Sequence, residues 1–335
     1  MNKQKNLSIE TLRGIAILLV VIGHVIGSTP SGGMKIDYPH PLRYLYLWID
    51  YIQMPLFTAI AGWVYALKPF SSASGFGVFV RKKALRLLVP MAVVGTLYFI
   101  VQYLMPGTNQ KGELSQIWRI YIFPYTIYWY LPSLFLIFVM QWWVDRSKGM
   151  ESVKQWGMCL LIAYLLYLVE KYIIPASVPN IFSFKGAFNQ LMYFIVGVGA
   201  YRFSALLRKA KGYVLYVAFT VTGIVLLQLE WFYRLDGTEW YEALQPVWIF
   251  ATLLWLLFLR CKNRFLSWIG GYAYSIYLFH GFGTSGGRIL LKMIGVGAIM
   301  PIFLIATFMA IIFPVVLDRI CSHFRILRIA FLGKR

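Results

Sequence analysis

Long apolar runs alternate with short polar segments along the whole chain. Ten of these runs are close to the roughly 20 residues that a helix needs to cross the hydrocarbon core of a bilayer. They lie near residues 9–28, 43–67, 85–105, 126–144, 155–174, 186–201, 212–231, 245–260, 266–282 and 293–317. The pattern predicts an all-α polytopic membrane protein with about ten transmembrane helices.

The connections between these runs are short, and no internal repeat is evident. We therefore expect a single transmembrane domain over residues 1–335, with a loop at 68–84. Lys3 and Lys5 precede the first apolar run, as in a signal peptide, but Glu10 and Arg13 interrupt the approach and no small-residue cleavage site follows. The first helix is expected to stay in the protein.

Composition agrees with a membrane location. Hydrophobic residues make up 60% of the chain and charged residues only 13%, against roughly a quarter charged in soluble domains. The net charge of +20 would suggest nucleic acid in a soluble protein, but here the basic residues lie between apolar runs. We therefore expect membrane lipids, and no nucleic acid, as partners.

The distribution of charge predicts the orientation. With the N-terminus inside, 23 of the 32 Lys and Arg residues fall in cytoplasmic segments, against 4 of the 12 acidic residues. This bias is the positive-inside rule, and it favours ten spans with both termini in the cytoplasm. The expected location is a cell membrane, as a multi-pass protein of a bacterial inner or plasma membrane.

The first apolar run carries ionisable residues, which are expensive inside a membrane helix and usually face the protein interior or a watery cavity. Arg13 and His24 are eleven residues apart, so they lie within ~20° of each other and on the order of 16 Å apart along the axis. Glu10 is three residues before Arg13, within pairing distance on a helix. A purely structural interpretation is a buried Arg–Glu pair and a histidine bonded between helices. Two groups on one stripe at two depths favour a site instead.

Several motifs resemble one known family. The stretch Ile-Glu-Thr-Leu-Arg-Gly-Ile-Ala at 9–16, followed by an apolar run and Gly-His, resembles the opening signature of the acyltransferase-3 family of membrane acyltransferases. Weaker similarities follow in the family's order at Gln53–Phe57 with Ala61–Trp63, Arg81–Pro90, Trp129–Leu131 and Tyr274–His280. Ala61 departs from the family's usual serine. Ile127 stands where many members have a histidine, which puts any role of that position in doubt.

The resemblance implies that the domain transfers an acyl group, often acetyl, from acyl-CoA at the cytoplasmic side. The implied acceptor is a hydroxyl of a carbohydrate or lipid-linked glycan of the cell envelope or of a secreted polysaccharide. The resemblance also implies that Arg13 and His24 are the functional residues. No metal is expected, because the cysteines have no metal-binding spacing.

The chemistry of the residues fits this implication. His24 is suited to take the proton of an acceptor hydroxyl, or to carry the acyl group briefly as a nucleophile. A serine nucleophile is disfavoured, since no G-x-S-x-G motif is present. The phosphates of CoA need cations, and the candidates are Arg13, Arg81, Lys82, Lys83 and Arg86. Basic inner loops also orient helices without binding anything, and this alternative stays open.

The candidate substrate-binding residues are Glu10, Trp129 and His280. His280 is expected at the outer end of the ninth span, at the depth of His24, where a capping or interfacial role is the alternative. Residues 230–242 mix carboxylates and aromatic rings, which suits sugars but also suits an interfacial belt. The competing class of function is a transporter or flippase, although transporters often show internal repeats. A scaffold in a polysaccharide synthesis complex is a third reading.

Overall fold

The computed structural model describes residues 6–68, 75–109, 111–233 and 239–334. Within these ranges the chain is helical and contains no strand. The long helices, here numbered α1 to α10, are Leu7–Ile26, Pro41–Ala66, Phe76–Leu104, Tyr130–Arg146, Val153–Leu168, Phe184–Arg202, Ala210–Tyr233, Glu239–Leu259, Ala273–Met293 and Ile299–His323. They occur in the order of the ten predicted spans, so the predicted fold class is confirmed.

Eight of these helices are long and apolar enough to cross a membrane, counted over the described residues. The other two are α2 and α9, which have 26 and 21 residues and are more polar. Both pack in the interior, α2 against α1 and α6, and α9 against α1 and α10. A helix surrounded by protein can carry polar groups that lipid would not tolerate. The count is therefore consistent with about ten spans.

Two predicted boundaries were wrong. The segment 68–84 is not a loop throughout, because α3 begins at Phe76. The first turns of α3 carry basic residues and precede its apolar part. The ninth span does not end near 282, because a separate short helix, Arg264–Gly271, precedes α9, and α9 continues to Met293. Residues 69–74 lie outside the described residues.

Segments from distant parts of the chain meet at two opposite ends of the bundle. At one end, Arg86 of α3 donates to the carbonyl of Leu332, which follows α10. At the other end, Arg288 of α9 donates to the carbonyl of Gly33 at 2.7 Å and to Asn109 Oδ1 at 2.5 Å. The three chain segments at this second end are the connections predicted to face outward. The assignment of compartments stays a prediction.

Glycines allow the central helices to approach each other closely. A Cβ at Gly197 of α6 would lie 1.8 Å from the carbonyl oxygen of Ala59, and one at Gly62 of α2 would lie 2.1 Å from that of Phe194. A Cβ at Gly199 of the same helix would lie 2.1 Å from Nε1 of the Trp156 indole. The contact of α2 with α6 depends on the absence of these side-chain atoms.

A fully buried arginine shapes the loop that follows α1. Arg43 of α2 donates to the carbonyls of Ile36, Gly27 and Thr29 at 2.7, 2.6 and 2.8 Å. Three charge-assisted bonds replace the hydration of the guanidinium. The loop is thereby held over the end of α1 that carries His24.

The α2–α6 contact generates a stability prediction. Gly197→Ala should lower the free energy of unfolding by about 1–3 kcal/mol, because the methyl group overpacks the contact with Ala59. Thermal unfolding of the detergent-solubilised protein measures this effect. Gly157→Ala in α5 is the matched control, since no atom lies within 4 Å of its Cβ position. Equal melting temperatures for the two variants would contradict the close contact.

The orientation can be tested with a natural thiol. Cys261 is exposed and lies between α8 and the short helix Arg264–Gly271, whereas Cys159 is half-buried and Cys321 is buried. We expect a membrane-impermeant maleimide to label Cys261 in inverted vesicles and not in right-side-out vesicles. Cys261→Ser should remove the signal. Labelling from the outer side would contradict cytoplasmic termini.

Candidate functional site

Arg13 and His24 both face the protein interior from α1. The Arg13 guanidinium pairs with Glu10, with Nη1 at 3.0 Å from both carboxylate oxygens. Between the two functional candidates, Ile17 and Val20 are fully buried. Arg13 and His24 are therefore on one stripe, as the helical spacing predicts, but packed side chains separate the spaces that they face.

Arg13 opens into a cavity of about 880 Å³ at the predicted cytoplasmic end of the bundle. The cavity combines basic side chains with an aromatic and aliphatic wall. It is lined by Arg13, Phe57, Ile60, Ala61, Val64, Tyr65, Lys68, Phe79, Lys82, Lys83, Leu85, Arg86, Leu87, Leu134, Phe138, Trp142, Gly270, Gly271, Tyr274, Ser275, Gly333 and Lys334. This volume suits a ligand larger than a simple sugar or amino acid.

The cavity brings together most of the predicted cations. Lys82, Lys83 and Arg86 line it beside Arg13, whereas Arg81 does not; Arg81 and Lys82 are both exposed. Lys68 and Lys334 also line it, and sequence reasoning did not assign either to the site. Their basic character was visible, but only as part of the general inner charge. Nothing in the spacing indicated that Lys334 returns to a cavity formed by helices at the other end of the chain.

The cavity has an excess of positive charge. Of the carboxylates on this side, Glu10 pairs with Arg13, Asp145 pairs with Arg202 at 2.7 Å, and Asp318 pairs with Lys334 at 2.6 Å. The other four lining cations have no carboxylate partner among the described residues; they are Lys68, Lys82, Lys83 and Arg86. The cavity is therefore a region where an anionic ligand is stabilised.

Lys83 is held by aromatic rings. Its Nζ lies 3.3 Å from the ring centroid of Phe138, 5.5 Å from that of Phe79 and 5.7 Å from that of Tyr65. Cation–π attraction substitutes for a carboxylate here. The ammonium group thus stays in the cavity with its hydrogen-bonding capacity largely unused.

A pair of histidines lies deeper in the bundle. The rings of His24 and His280 have centroids 5.0 Å apart at an interplanar angle of 38°. The expectation that they share a depth is confirmed. His280 does not cap a helix or lie at an interface, however, because it is fully buried within α9. The alternative of a capping or interfacial His280 was wrong because α9 extends well beyond the apolar run seen in the sequence.

Hydrogen bonds fix the protonation pattern of His280. Its Nδ1 lies 2.8 Å from the carbonyl oxygen of Tyr277 and 3.1 Å from that of Ile276. A carbonyl can only accept, so Nδ1 carries the hydrogen and Nε2 carries a lone pair. Nε2 is buried and has no partner among the described residues. It points away from its own helix as an unused base.

His24 is half-buried and makes no hydrogen bond within the part of the chain that the structure describes. Of the purely structural interpretation, the Arg13–Glu10 pair is present, whereas a histidine hydrogen-bonded between helices is not found at His24 in the described residues. Its ring is anchored only by packing, including the contact with His280. Either ring nitrogen can consequently take part in proton transfer.

An aromatic layer separates the cavity from the histidine pair. Phe57, at the deep end of the cavity, stacks on Tyr277 with centroids 6.0 Å apart, and Tyr277 lies 6.0 Å from His280. Tyr130 contacts both Phe57 and Tyr277 at 5.8 Å. The two candidate spaces are thus one layer of rings apart.

The remaining predicted residues lie at the margins of this arrangement. Trp129 is half-buried in the turn before α4 and packs beside Tyr130, away from the cavity lining. Ile127, at the position of the family's histidine, accepts a hydrogen bond at its carbonyl from the Tyr277 hydroxyl. The backbone of that turn therefore supports the aromatic layer even though the histidine is absent.

The outer segment 230–242 is only partly described, because residues 234–238 lie outside the described residues. Trp231 packs against Tyr44 and Tyr38, with centroids 5.2 and 5.9 Å apart, and Glu230 accepts from the Tyr241 hydroxyl at 2.5 Å. These contacts are internal to the protein. Within the described ranges, no group of three or more histidine, cysteine or acidic residues could hold a metal ion.

Comparison with known proteins adds one finding. A protein-family model described as an acyltransferase domain, that of acyltransferase 3, matches residues 6–319. No curated protein and no solved structure matches the chain. The match begins just before α1 and ends in α10, so it includes the cavity cations from α1 and α3 and both histidines.

Proposed function

This chain belongs to the acyltransferase-3 family of membrane acyltransferases, and we propose that it transfers an acyl group, most simply acetyl, from acyl-CoA to a hydroxyl of a cell-envelope or secreted carbohydrate. The observation that supports this proposal is the placement of an excess of cations one aromatic layer from a pair of histidines. Such an arrangement offers a donor site and a proton acceptor on the two sides of one barrier.

The donor fits the cavity by charge. Coenzyme A carries a diphosphate and a 3′-phosphate, and Lys82, Lys83 and Arg86 supply cations that no carboxylate neutralises in the described residues. Arg13 is the only lysine or arginine of α1, and its pairing with Glu10 leaves other N–H groups of the guanidinium available. Phosphates would lie at the basic end of the cavity.

The donor also fits the cavity by shape and polarity. Beyond the cations, the wall is apolar and formed by Phe57, Ile60, Ala61 and Val64 of α2. These residues lie on one face of α2, at helical spacing. The pantetheine arm would extend along this face and bring the thioester to the layer formed by Phe57, Tyr130 and Tyr277.

The histidine pair supplies the proton chemistry. In the proposed step, His24 takes the proton of the acceptor hydroxyl as its oxygen attacks the thioester carbonyl. The C–S bond then breaks, and the CoA thiolate takes up a proton as it leaves. His280 is a positioning residue, because its Nε2 can accept a hydrogen bond from protonated His24 and stabilise that form. In the variant of this step, a ring nitrogen of His24 itself attacks the thioester carbonyl and carries the acyl group before the acceptor hydroxyl takes it.

The acceptor would approach from the outer side, where the loop held by Arg43 covers the end of α1. Trp129 and His280 remain the candidate acceptor contacts, whereas Glu10 pairs with Arg13 at the other end of α1 and would lie on the donor side. The exposed apolar surfaces of helices such as α5 and α7 suit surrounding lipid, and a multi-pass protein of a bacterial inner or plasma membrane is the expected setting.

Donor binding can be tested with two adjacent cations. Lys82→Ala should weaken CoA binding about tenfold, since a charge-assisted hydrogen bond to phosphate contributes about 1.5 kcal/mol or more. Arg81→Ala removes the same charge from the same helix but outside the cavity, so its affinity should stay near wild type. Calorimetry on the detergent-solubilised protein measures both. A transporter of unrelated solutes would bind no CoA at all, and an equal loss in both variants would mean that only overall charge matters.

Catalysis can be tested at His24. His24→Ala should reduce acetyl transfer to glycan in membranes by about 10²- to 10⁴-fold, because the proton acceptor is lost. His323→Ala is the control, since His323 is exposed at the end of α10. Normal turnover by a normally expressed His24→Ala protein would eliminate this assignment.

A further inference from the structure

The C-terminal segment forms part of the cavity wall. A short helix, Arg325–Leu332, follows α10 and packs against α3, and the two residues after it, Gly333 and Lys334, line the cavity. Leu332 is fully buried, and the Phe331 ring stacks on Phe279 of α9 at 6.2 Å. The segment is therefore packed into the bundle immediately before the point where it lines the cavity.

Close contacts with α3 set the path of this segment. Arg86 Nη1 donates to the carbonyl of Leu332 at 2.9 Å. Gly333 has a φ of +58°, and a Cβ there would lie 2.7 Å from the carbonyl oxygen of Arg86. The glycine is therefore required both by its conformation and by the proximity of the α3 backbone. It directs the chain so that Lys334 returns to the cavity.

Lys334 is positioned by a buried carboxylate. Its Nζ lies 2.6 Å from Asp318 Oδ2, and Asp318 is only 5% exposed. The same carboxylate accepts hydrogen bonds from the Ser275 hydroxyl and, at 3.3 Å, from Ser322. An ammonium group has three donors, and the pair with Asp318 occupies one of them. Lys334 thus presents further donors at the edge of the cavity.

We propose that Lys334 is a donor-binding residue that contacts a phosphate of the nucleotide end of CoA, with Asp318 and Ser275 as its positioning residues. This inference rests on the function proposed above. The side chain of Lys334 is 36% exposed, so the ammonium group is accessible to a ligand while its pair with Asp318 holds it in place. Arg86 and Lys334 would approach the phosphates from opposite sides of Gly333.

The experiment uses the full-length protein in detergent with CoA as the probe. Lys334→Gln keeps an N–H donor for Asp318, on a side chain one atom shorter, but removes the charge. We expect it to weaken CoA binding about tenfold, with Lys334→Arg close to wild type. Arg325→Ala is the control, because Arg325 is exposed on the same segment and does not line the cavity. Its affinity should be unchanged.

Three measurements separate the outcomes. If Lys334→Gln bound CoA as tightly as the wild-type protein, or more tightly, the inference would be overturned. Lys334 would then make no favourable contact with CoA or would hinder its binding. No CoA binding by the wild-type protein would overturn the proposed donor itself. Thermal unfolding without ligand shows whether Lys334→Gln retains the fold. If Lys334→Gln does not fold, Lys334→Arg decides. Its affinity for CoA should be close to wild type, and tenfold weaker binding at an unchanged melting temperature would contradict the inference.

Discussion

The close packing of α1 is the constraint on which the site depends. A Cβ at Gly14 would lie 1.9 Å from the carbonyl oxygen of Leu266, and one at Gly23 would lie 2.8 Å from the side chain of Gln53. α1 is thus held by the short helix Arg264–Gly271 on one side and by α2 on another. Rotation of α1 would bring side-chain atoms against the Leu266 backbone, so this packing favours the orientation in which Arg13 faces the cavity and His24 faces His280.

The aromatic layer of Phe57, Tyr130 and Tyr277 also bears on how a membrane protein could remain closed to ions. A transferase with substrates on both sides of a membrane has to bring them together without opening a path for ions. Phe57, Tyr130 and Tyr277 close the bundle at this level, and hydroxyl groups fix two of them. Tyr277 donates to the Ile127 carbonyl, while Tyr130 lies 3.1 Å from the Thr58 hydroxyl. In the reaction proposed above, only the acyl group would have to pass this layer.

The sequence allowed the fold and one helix face to be predicted, but not the contacts between helices. Apolar run length and loop charge are local properties, and they gave the ten helices and the shared face of Arg13 and His24. The predicted depth of His280 was also correct, but its predicted place at the end of the helix was wrong. The polar second half of α9 packs against α10, so the helix does not need to be apolar there. Lys334 was missed because its proximity to Arg86 arises from tertiary folding alone.

The basic segment of α3 shows how geometry resolves an ambiguity that charge leaves open. The positive-inside rule accounts equally for Arg81 and Lys82, because both only need to lie on the inner side. A cation that served orientation alone would be most stable in water or among lipid headgroups, and Arg81 is exposed and outside the cavity lining. Lys83 instead enters an interior space and contacts three aromatic rings, at a cost in desolvation that orientation does not require. In the function proposed above, binding of an anionic ligand would offset that cost, which favours a role of Lys83 beyond topology.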